Sequence, residues 1–353
     1  MDGGMRRALI LLLQCVAIAS AQHELSHLSG STHAAILGRH TGHAPRQQTS
    51  CSTWIHSVRK ADKKACCAHD PTAGGDKASV NRTYSQGHQD GILREIFGRI
   101  GVTNKVSVEF GFDYAAPGLS GKKLIDANNG LNTRLLHEQG WNSIYFDAVL
   151  SDAEAGIKKA VLTEDNIVSH FKAAGVPNDV DYVSIDVDSV DVWLMHGLLG
   201  GGYRPRVLSV EFNSNFMLDQ QISCEHTWHE WTGRTVYGAS LGAINAVAEK
   251  FNYRVVHVMN ILDVFFVRQE DVADCGAGTL PTLQQAADWY GPFPRRLHRT
   301  CTAQDAARLV DVPLSLAGKK QAAHAKAIFE VRRLDDANPD WANSRFGRMC
   351  EPL

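Results

Sequence analysis

Apolar positions along the chain first fall into a regular rhythm at Ile92, Leu93, Ile96, Phe97 and Ile100. That three-and-four spacing is one face of a helix. Beyond it, short runs rich in β-branched and aromatic residues alternate with helix-spaced ones. The pattern predicts strands over 106–110, 143–147, 159–162, 182–187 and 206–212, the third being the weakest. Between them, Leu131, Leu135 and Leu136 mark a helix that stops at Gly140. Ile167, Val168, Phe171 and Ala174 mark a second, closed by Gly175 and Pro177, and Trp193, Leu194 and Leu198 a third. After a longer connection, Ser240 is placed to cap a helix carrying Leu241, Ile244, Val247 and Phe251.

Two more strands, over 254–258 and 262–267, are separated by only a few residues around Asn260. So short a link joins antiparallel neighbours. Five strands alternating with helices imply a parallel sheet, and the closing hairpin reverses the last strand within it. Plain dinucleotide-binding folds lack that reversed strand. The expected architecture is therefore an α/β, Rossmann-like fold of the class I methyltransferase type: a mostly parallel seven-stranded sheet with a terminal antiparallel hairpin.

The flanks differ in character. Arg6 and Arg7, an apolar run over 8–19 and the small residues Ala19, Ser20 and Ala21 form a secretory signal pattern over 1–21. A cleaved peptide and an uncleaved anchor both fit it; after cleavage no stable membrane span is expected. Residues 22–80 are rich in His, Ser, Thr and Gly with little periodicity, the composition of a poorly ordered leader. Cys51, Cys66 and Cys67 offer local anchoring, and Asn81 opens a glycosylation sequon. The methyltransferase-like domain is placed at 84–270. A C-terminal appendage follows at 271–353, with Pro-rich turns and one helix near 319–331. Seven cysteines outside the signal, mostly flanking the domain, suit disulfides in an oxidising compartment.

The 353 residues carry a net charge of −2, with 44% hydrophobic and 21% charged residues. That is globular composition. Basic residues form no stripe, which disfavours nucleic acid as a partner and leaves a small molecule or a glycan.

In an open parallel sheet, ligands bind beyond the C-terminal strand ends. Those ends carry Glu109 and Gly111, then Asp147, then Glu164 and Asn166, then Asp186 and Asp188, then Glu211 and Asn213. Gly111 suits a close backbone approach. Asp147 is placed to accept both hydrogen bonds of a ribose diol, and Glu164 or Asn166 to meet an adenine. Asp186 and Asp188 share a face on an extended backbone, with Asp191 at the next helix start. Carboxylates so close either share a proton or recruit a cation, with Mg²⁺ one candidate. Glu211, Asn213 and Asp191 would complete a substrate or metal shell; capping of the helix by Asp188 and Asp191 is the structural alternative. His226 and His229 fit a lid or substrate wall better than a metal site.

Read together, several stretches resemble FkbM-like methyltransferase-domain proteins, and more closely a eukaryotic branch of them. They are Tyr84-Ser-Gln with Gln89-Asp-Gly-Ile-Leu, Val108-Glu-Phe-Gly-Phe, Asn132-Thr with Gly140-Trp, Val183-Ser-Ile-Asp-Val-Asp-Ser with Asp191-Val-Trp, and Ser209-Val-Glu-Phe-Asn-Ser-Asn. Gly238-Ala-Ser and Leu262-Asp-Val-Phe-Phe-Val extend the likeness, which spans about 185 residues in order. The resemblance implies S-adenosylmethionine as cofactor, bound by Glu109, Gly111 and Asp147, and methyl transfer, often to oxygen. Two positions depart from the usual pattern: Phe112 follows the first glycine, and Ser189 stands where the signature has glycine. O-methylation of a glycan or small hydroxylated substrate is the leading expectation, with Asp186 or Asp188 as base. A lumenal, metal-dependent glycosyltransferase using the Asp-x-Asp pair, and a non-catalytic secreted module, are the rivals.

Overall fold

A computed structural model describes residues 50–64, 84–112, 118–128, 130–227, 231, 236–276, 278–291 and 309–312. The signal segment, the Asn81 sequon, His229 and the helix expected near 319–331 lie outside the described residues.

The chain runs α1 (Cys51–Lys64), α2 (Gln89–Ile100), β1 (Val106–Phe110), α3 (Gly121–Ala127), α4 (Arg134–Glu138), β2 (Asn142–Asp147) and β3 (Ile157–Lys159). It continues through α5 (Ile167–Ala173), β4 (Tyr182–Ile185), α6 (Asp191–Gly200), β5 (Val207–Glu211), β6 (Ile222–Cys224), α7 (Leu241–Lys250), β7 (Tyr253–Val258) and β8 (Asp263–Arg268). A short helix α8 (Leu283–Ala287) and a strand β9 (Leu309–Asp311) follow. The main sheet has seven strands in the order β3-β2-β1-β4-β5-β8-β7. Five are parallel, and the β7–β8 hairpin sets β8 antiparallel to β5. This is the Rossmann-like topology of methyltransferase-type folds. β6 and β9 form a separate two-stranded sheet.

The two faces of the sheet are chemically unlike. On one, Val108, Phe110, Ile144, Phe146, Val183, Ile185, Leu208, Val210, Val264 and Phe266 make an apolar surface packed by α5, α6 and α7. The alternate residues on the other face include Ser107, Glu109, Ser143, Tyr145, Tyr182, Ser184, Ser209, Glu211 and Asp263, all buried. Their polar atoms pair across strands: Ser107 with Ser143 at 2.9 Å, Tyr182 with Ser209 at 2.6 Å and Ser184 with Ser209 at 3.1 Å. A parallel sheet buried on both faces is normally apolar throughout. Here one face is polar toward its C-terminal edge.

Three local outcomes differ from the sequence pattern. The third strand is Ile157–Lys159, not 159–162: Ile157 is buried beside Tyr145, whereas Val161 is half exposed beyond the sheet edge. The fourth strand ends at Ile185, because Asp188 takes a left-handed backbone (φ +59°) and turns the chain into α6. The segment read as a poorly ordered leader contains α1, whose Trp54, Ile55 and Val58 pack against Ile92, Ile96 and Phe97 of α2.

Two further ties hold α1. Asp62, buried, accepts hydrogen bonds from His257 Nε2 of β7 (2.6 Å), His88 Nδ1 (2.9 Å) and the Tyr290 hydroxyl. These bonds hold its carboxyl well below the ordinary carboxylate range despite burial. Cys51 is disulfide-bonded to Cys275, closing a sequence separation of 224 residues around the whole sheet.

Closing so long a loop removes chain entropy worth up to about 5 kcal/mol, and realised values run nearer 2–5 kcal/mol. Cys51→Ser should therefore lower the thermal midpoint by several degrees. Scanning calorimetry of the oxidised protein and the variant checks this, and equal midpoints would show that packing and Asp62 hold α1 without the bond.

Candidate functional site

Acidic groups collect at the C-terminal ends of β1, β4 and β5 and at the start of the reversed β8. Pairing sets Glu109 opposite Ser184, Ser184 opposite Ser209, and Glu211 opposite Asp263. Two residues beyond Ser184, Asp186 comes beside Gly111. An added Cβ on Gly111 (φ +78°) would stand 2.6 Å from the Asp186 carbonyl oxygen. The glycine is thus required first by the approach of two backbone turns, and it fixes where Asp186 leaves the sheet. Carboxylate oxygens of Asp186, Asp188 and Glu211 all lie within 4.8 Å of one another. The structure brings these three together as the strand-end pattern predicts.

Asp191 opens α6 and is fully buried. Its Oδ1 accepts the Val187 N–H at 2.7 Å, which closes the turn beneath Asp186 and Asp188. Among the described residues its Oδ2 has no hydrogen-bond partner. Burial, with the nearby Asp186 charge, raises its pKa to about 7. The N-cap of α6 is Val190, so Asp188 does not cap the helix. Ser189 fits without glycine because the turn's left-handed residue is Asp188; the Ser189 hydroxyl donates to the Val187 carbonyl at 3.2 Å.

Other expected site residues are engaged by the protein itself. Both oxygens of Glu109 accept hydrogen bonds: Oε1 from the Asn132 N–H (2.7 Å), and Oε2 from the Thr133 N–H (3.0 Å) and hydroxyl (2.6 Å). Glu109 therefore anchors the start of α4. Glu164 meets His196 Nδ1 of α6 at 2.6 Å. Asn166 accepts the Thr163 N–H and donates to the Val161 carbonyl, holding its own turn. The Asn213 amide donates to the Tyr237 carbonyl and accepts from Asn215. Asp147 binds the Val149 and Leu150 N–H groups through Oδ1 alone.

Pattern reading missed two residues as site members. Asp263, at the start of the reversed strand, accepts from Gln89 Nε2 at 2.8 Å. The Asn132 amide donates to Ser184 Oγ (3.0 Å) and Asp263 Oδ2 (3.4 Å), spanning β5 from β4 to β8. The signal was present for Asp263: a lone acid leading an apolar strand whose register faces Glu211. None of these groups lines the cavity of about 520 Å³ beside Asn245, Arg254, Cys275 and Leu280, which opens where the edge strand β7 begins, at the other end of the sheet.

His226 stands near Trp193 (ring centroids 6.3 Å apart) and Trp231 near Tyr237 (5.1 Å), so the described part of the β6–α7 connection presents aromatic groups. Residues 113–117 of the loop after Gly111 lie outside the described residues, while Phe112 is buried against Tyr145. No family model matches the chain, and no curated protein matches it. The fold and these contacts are the basis for function.

Burial, the dominant cause, raises the carboxyl pKa of both Glu109 and Asp263 to about 7. Between the ordinary carboxylate range near pH 4 and pH 7, the folded chain thus keeps protons that the unfolded chain has released. Stability from this source is full below that window and falls as pH rises through 7, by up to about 1.4 kcal/mol per pH unit per proton. Asp263→Asn should flatten the decline between pH 5 and 8 in thermal or urea melts. A wild-type stability that rises across that window would contradict the assignment.

Proposed function

We propose that the domain is an S-adenosylmethionine-dependent methyltransferase of the FkbM-like type, acting on a hydroxyl of a glycan or small molecule. The observation that carries this reading is the strand order, with its reversed β8, coupled to polar groups at the C-terminal edge. The sequence resemblance supports it independently.

The residues present fit the cofactor. Asp147 Oδ2 is left for a ribose diol while Oδ1 holds the backbone. Val149, 79% exposed, and Val161, 50% exposed, flank that strand end and offer apolar surface to an adenine, in place of the engaged Glu164 and Asn166. The Gly111 turn and the acidic edge would hold the cationic part of the molecule. S-adenosylmethionine, if bound there, would supply an electrophilic methyl group for transfer to oxygen. Asp186, at the mouth of the edge, takes the acceptor's hydroxyl proton. The aromatic groups near Trp193 and Tyr237 position the acceptor and exclude water.

Among the described residues no helix is long and apolar enough to cross a membrane. The Cys51–Cys275 bond and the signal pattern support a secretory, oxidising compartment as the place of action. The converging Asp186 and Asp188 also suit a glycosyltransferase that holds a nucleotide-sugar through a cation, but the reversed β8 and the Gly111 turn favour methyl transfer.

Calorimetry of the purified protein should show S-adenosylhomocysteine binding, weakened at least tenfold by Asp147→Ala. Binding of a UDP-sugar with Mn²⁺, and none of S-adenosylhomocysteine, would replace this reading with the glycosyltransferase. Once an acceptor is found, Asp186→Asn should abolish turnover; an unchanged rate would remove Asp186 as the base.

A further inference from the structure

We propose that Cys275 is a site of reversible thiolation, where a small zwitterionic thiol seated in the cavity beside Arg254 exchanges into the Cys51–Cys275 bond. This site is independent of the methyl-transfer reading.

The two sulfurs of the bond have unlike surroundings. Cys51 is 8% exposed, whereas Cys275 is half-buried and lines the cavity. Cys51 is the first residue of α1, a helix of 14 residues. Ser50 precedes it, and its Oγ accepts the Thr53 N–H at 3.3 Å. Cys51 therefore belongs to an N-terminal helical turn, where unpaired N–H groups and aligned peptide dipoles favour negative charge. A terminal N–H of Arg99 donates to Cys51 Sγ at 3.4 Å, and the Arg99 side chain is 11% exposed. A cation so shielded is little screened by salt. Asp274, the chain neighbour of Cys275, pairs with Arg99 and fixes its position.

These contacts assign the roles in exchange. Thiol–disulfide exchange favours attack at the accessible sulfur and departure of the better-stabilised thiolate. The incoming thiolate attacks Cys275 Sγ and forms a new S–S bond there. The Cys51–Cys275 bond breaks, and its electron pair leaves on Cys51 Sγ. One disulfide replaces another, so no oxidant or reductant is consumed, and the proton of the incoming thiol goes to solvent. Packing of Trp54, Ile55 and Val58 on α2, with the hydrogen bonds of Asp62, still holds α1 in place. The Cys51 thiolate thus stays near Cys275 and can reverse the step.

The cavity supplies the seat. Its volume of about 520 Å³ is that of a small-ligand site. Arg254 and Glu249, both exposed on its wall, match the carboxylate and ammonium groups of an amino-acid or short peptide thiol. Thr282 adds a hydroxyl to the same wall. A charged wall of both signs suits such a zwitterion better than an apolar ligand.

The test treats the oxidised full chain with millimolar reduced glutathione, blocks free thiols by alkylation and maps both groups by peptide mass spectrometry. Glutathione should be found on Cys275 and the alkyl group on Cys51. Glutathione on Cys51 instead, or no adduct, overturns the proposal. Arg99→Gln should slow exchange about tenfold, the loss of one charge-assisted hydrogen bond to the leaving sulfur. Loosened folding would speed exchange, so a slower rate cannot arise from a destabilised variant; an unchanged or faster rate counts against the assigned leaving group. Arg254→Ala should slow exchange with glutathione several-fold and leave exchange with uncharged 2-mercaptoethanol unchanged. An unaltered glutathione rate in that variant removes the cavity as the seat.

Discussion

Burying carboxyl groups along one edge of a mostly parallel sheet is the constraint on which the rest of this structure depends. Glu109, Asp191 and Asp263 are inside the protein, close enough to Asp186 for its charge to act on each of them. Such groups are tolerated only when donors or protons compensate them. The chain supplies donors from outside the strands: the start of α4 for Glu109, and Gln89 and Asn132 for Asp263. These contacts explain why the start of α2 and the turn before α4 lie over the polar face, where an apolar face would have taken a plain amphipathic helix.

The opposite edge of the sheet shows what a purely structural carboxylate looks like. Asp181, fully buried, accepts the N–H groups of Thr103, Asn104 and Lys105 and the Arg206 guanidinium. Arg206 in turn binds Asp271 and the Gly101 and Ile100 carbonyls. Every oxygen there has donors. At the C-terminal edge, Asp191 Oδ2 and Asn132 Oδ1 have none among the described residues. The contrast is between an edge whose buried carboxylate is fully compensated and one where compensation is incomplete. Asp62 links the two concerns: it ties α1 to His88, the residue before Gln89, whose side chain reaches Asp263.

Much of this was legible from the chain. Period-two alternation placed β1, β2, β5 and the hairpin within a residue or two, and strand ends gave Asp186, Asp188 and Glu211, because both depend only on local spacing. What spacing does not carry is where a side chain's second partner comes from. Glu109, Glu164, Asn166 and Asn213 stand at strand ends, yet each is claimed by a neighbour distant in sequence or by its own turn. Asn132 and Asp263 looked unremarkable as single residues and acquire their place only through the order β4-β5-β8. The helix α1 was hidden for a similar reason: beyond the packing of Trp54, Ile55 and Val58 on α2, its hold on the domain comes from one disulfide and one carboxylate whose partners are distant in sequence.

The central claim is that the C-terminal edge, and not the cavity beside Arg254, receives the adenosyl ligand. Hydrogen–deuterium exchange with and without S-adenosylhomocysteine tests it directly. The account predicts slowed exchange confined to the turns after Gly111, Asp147 and Asp186. Protection centred on residues 269–283 beside that cavity, or none anywhere, would contradict it.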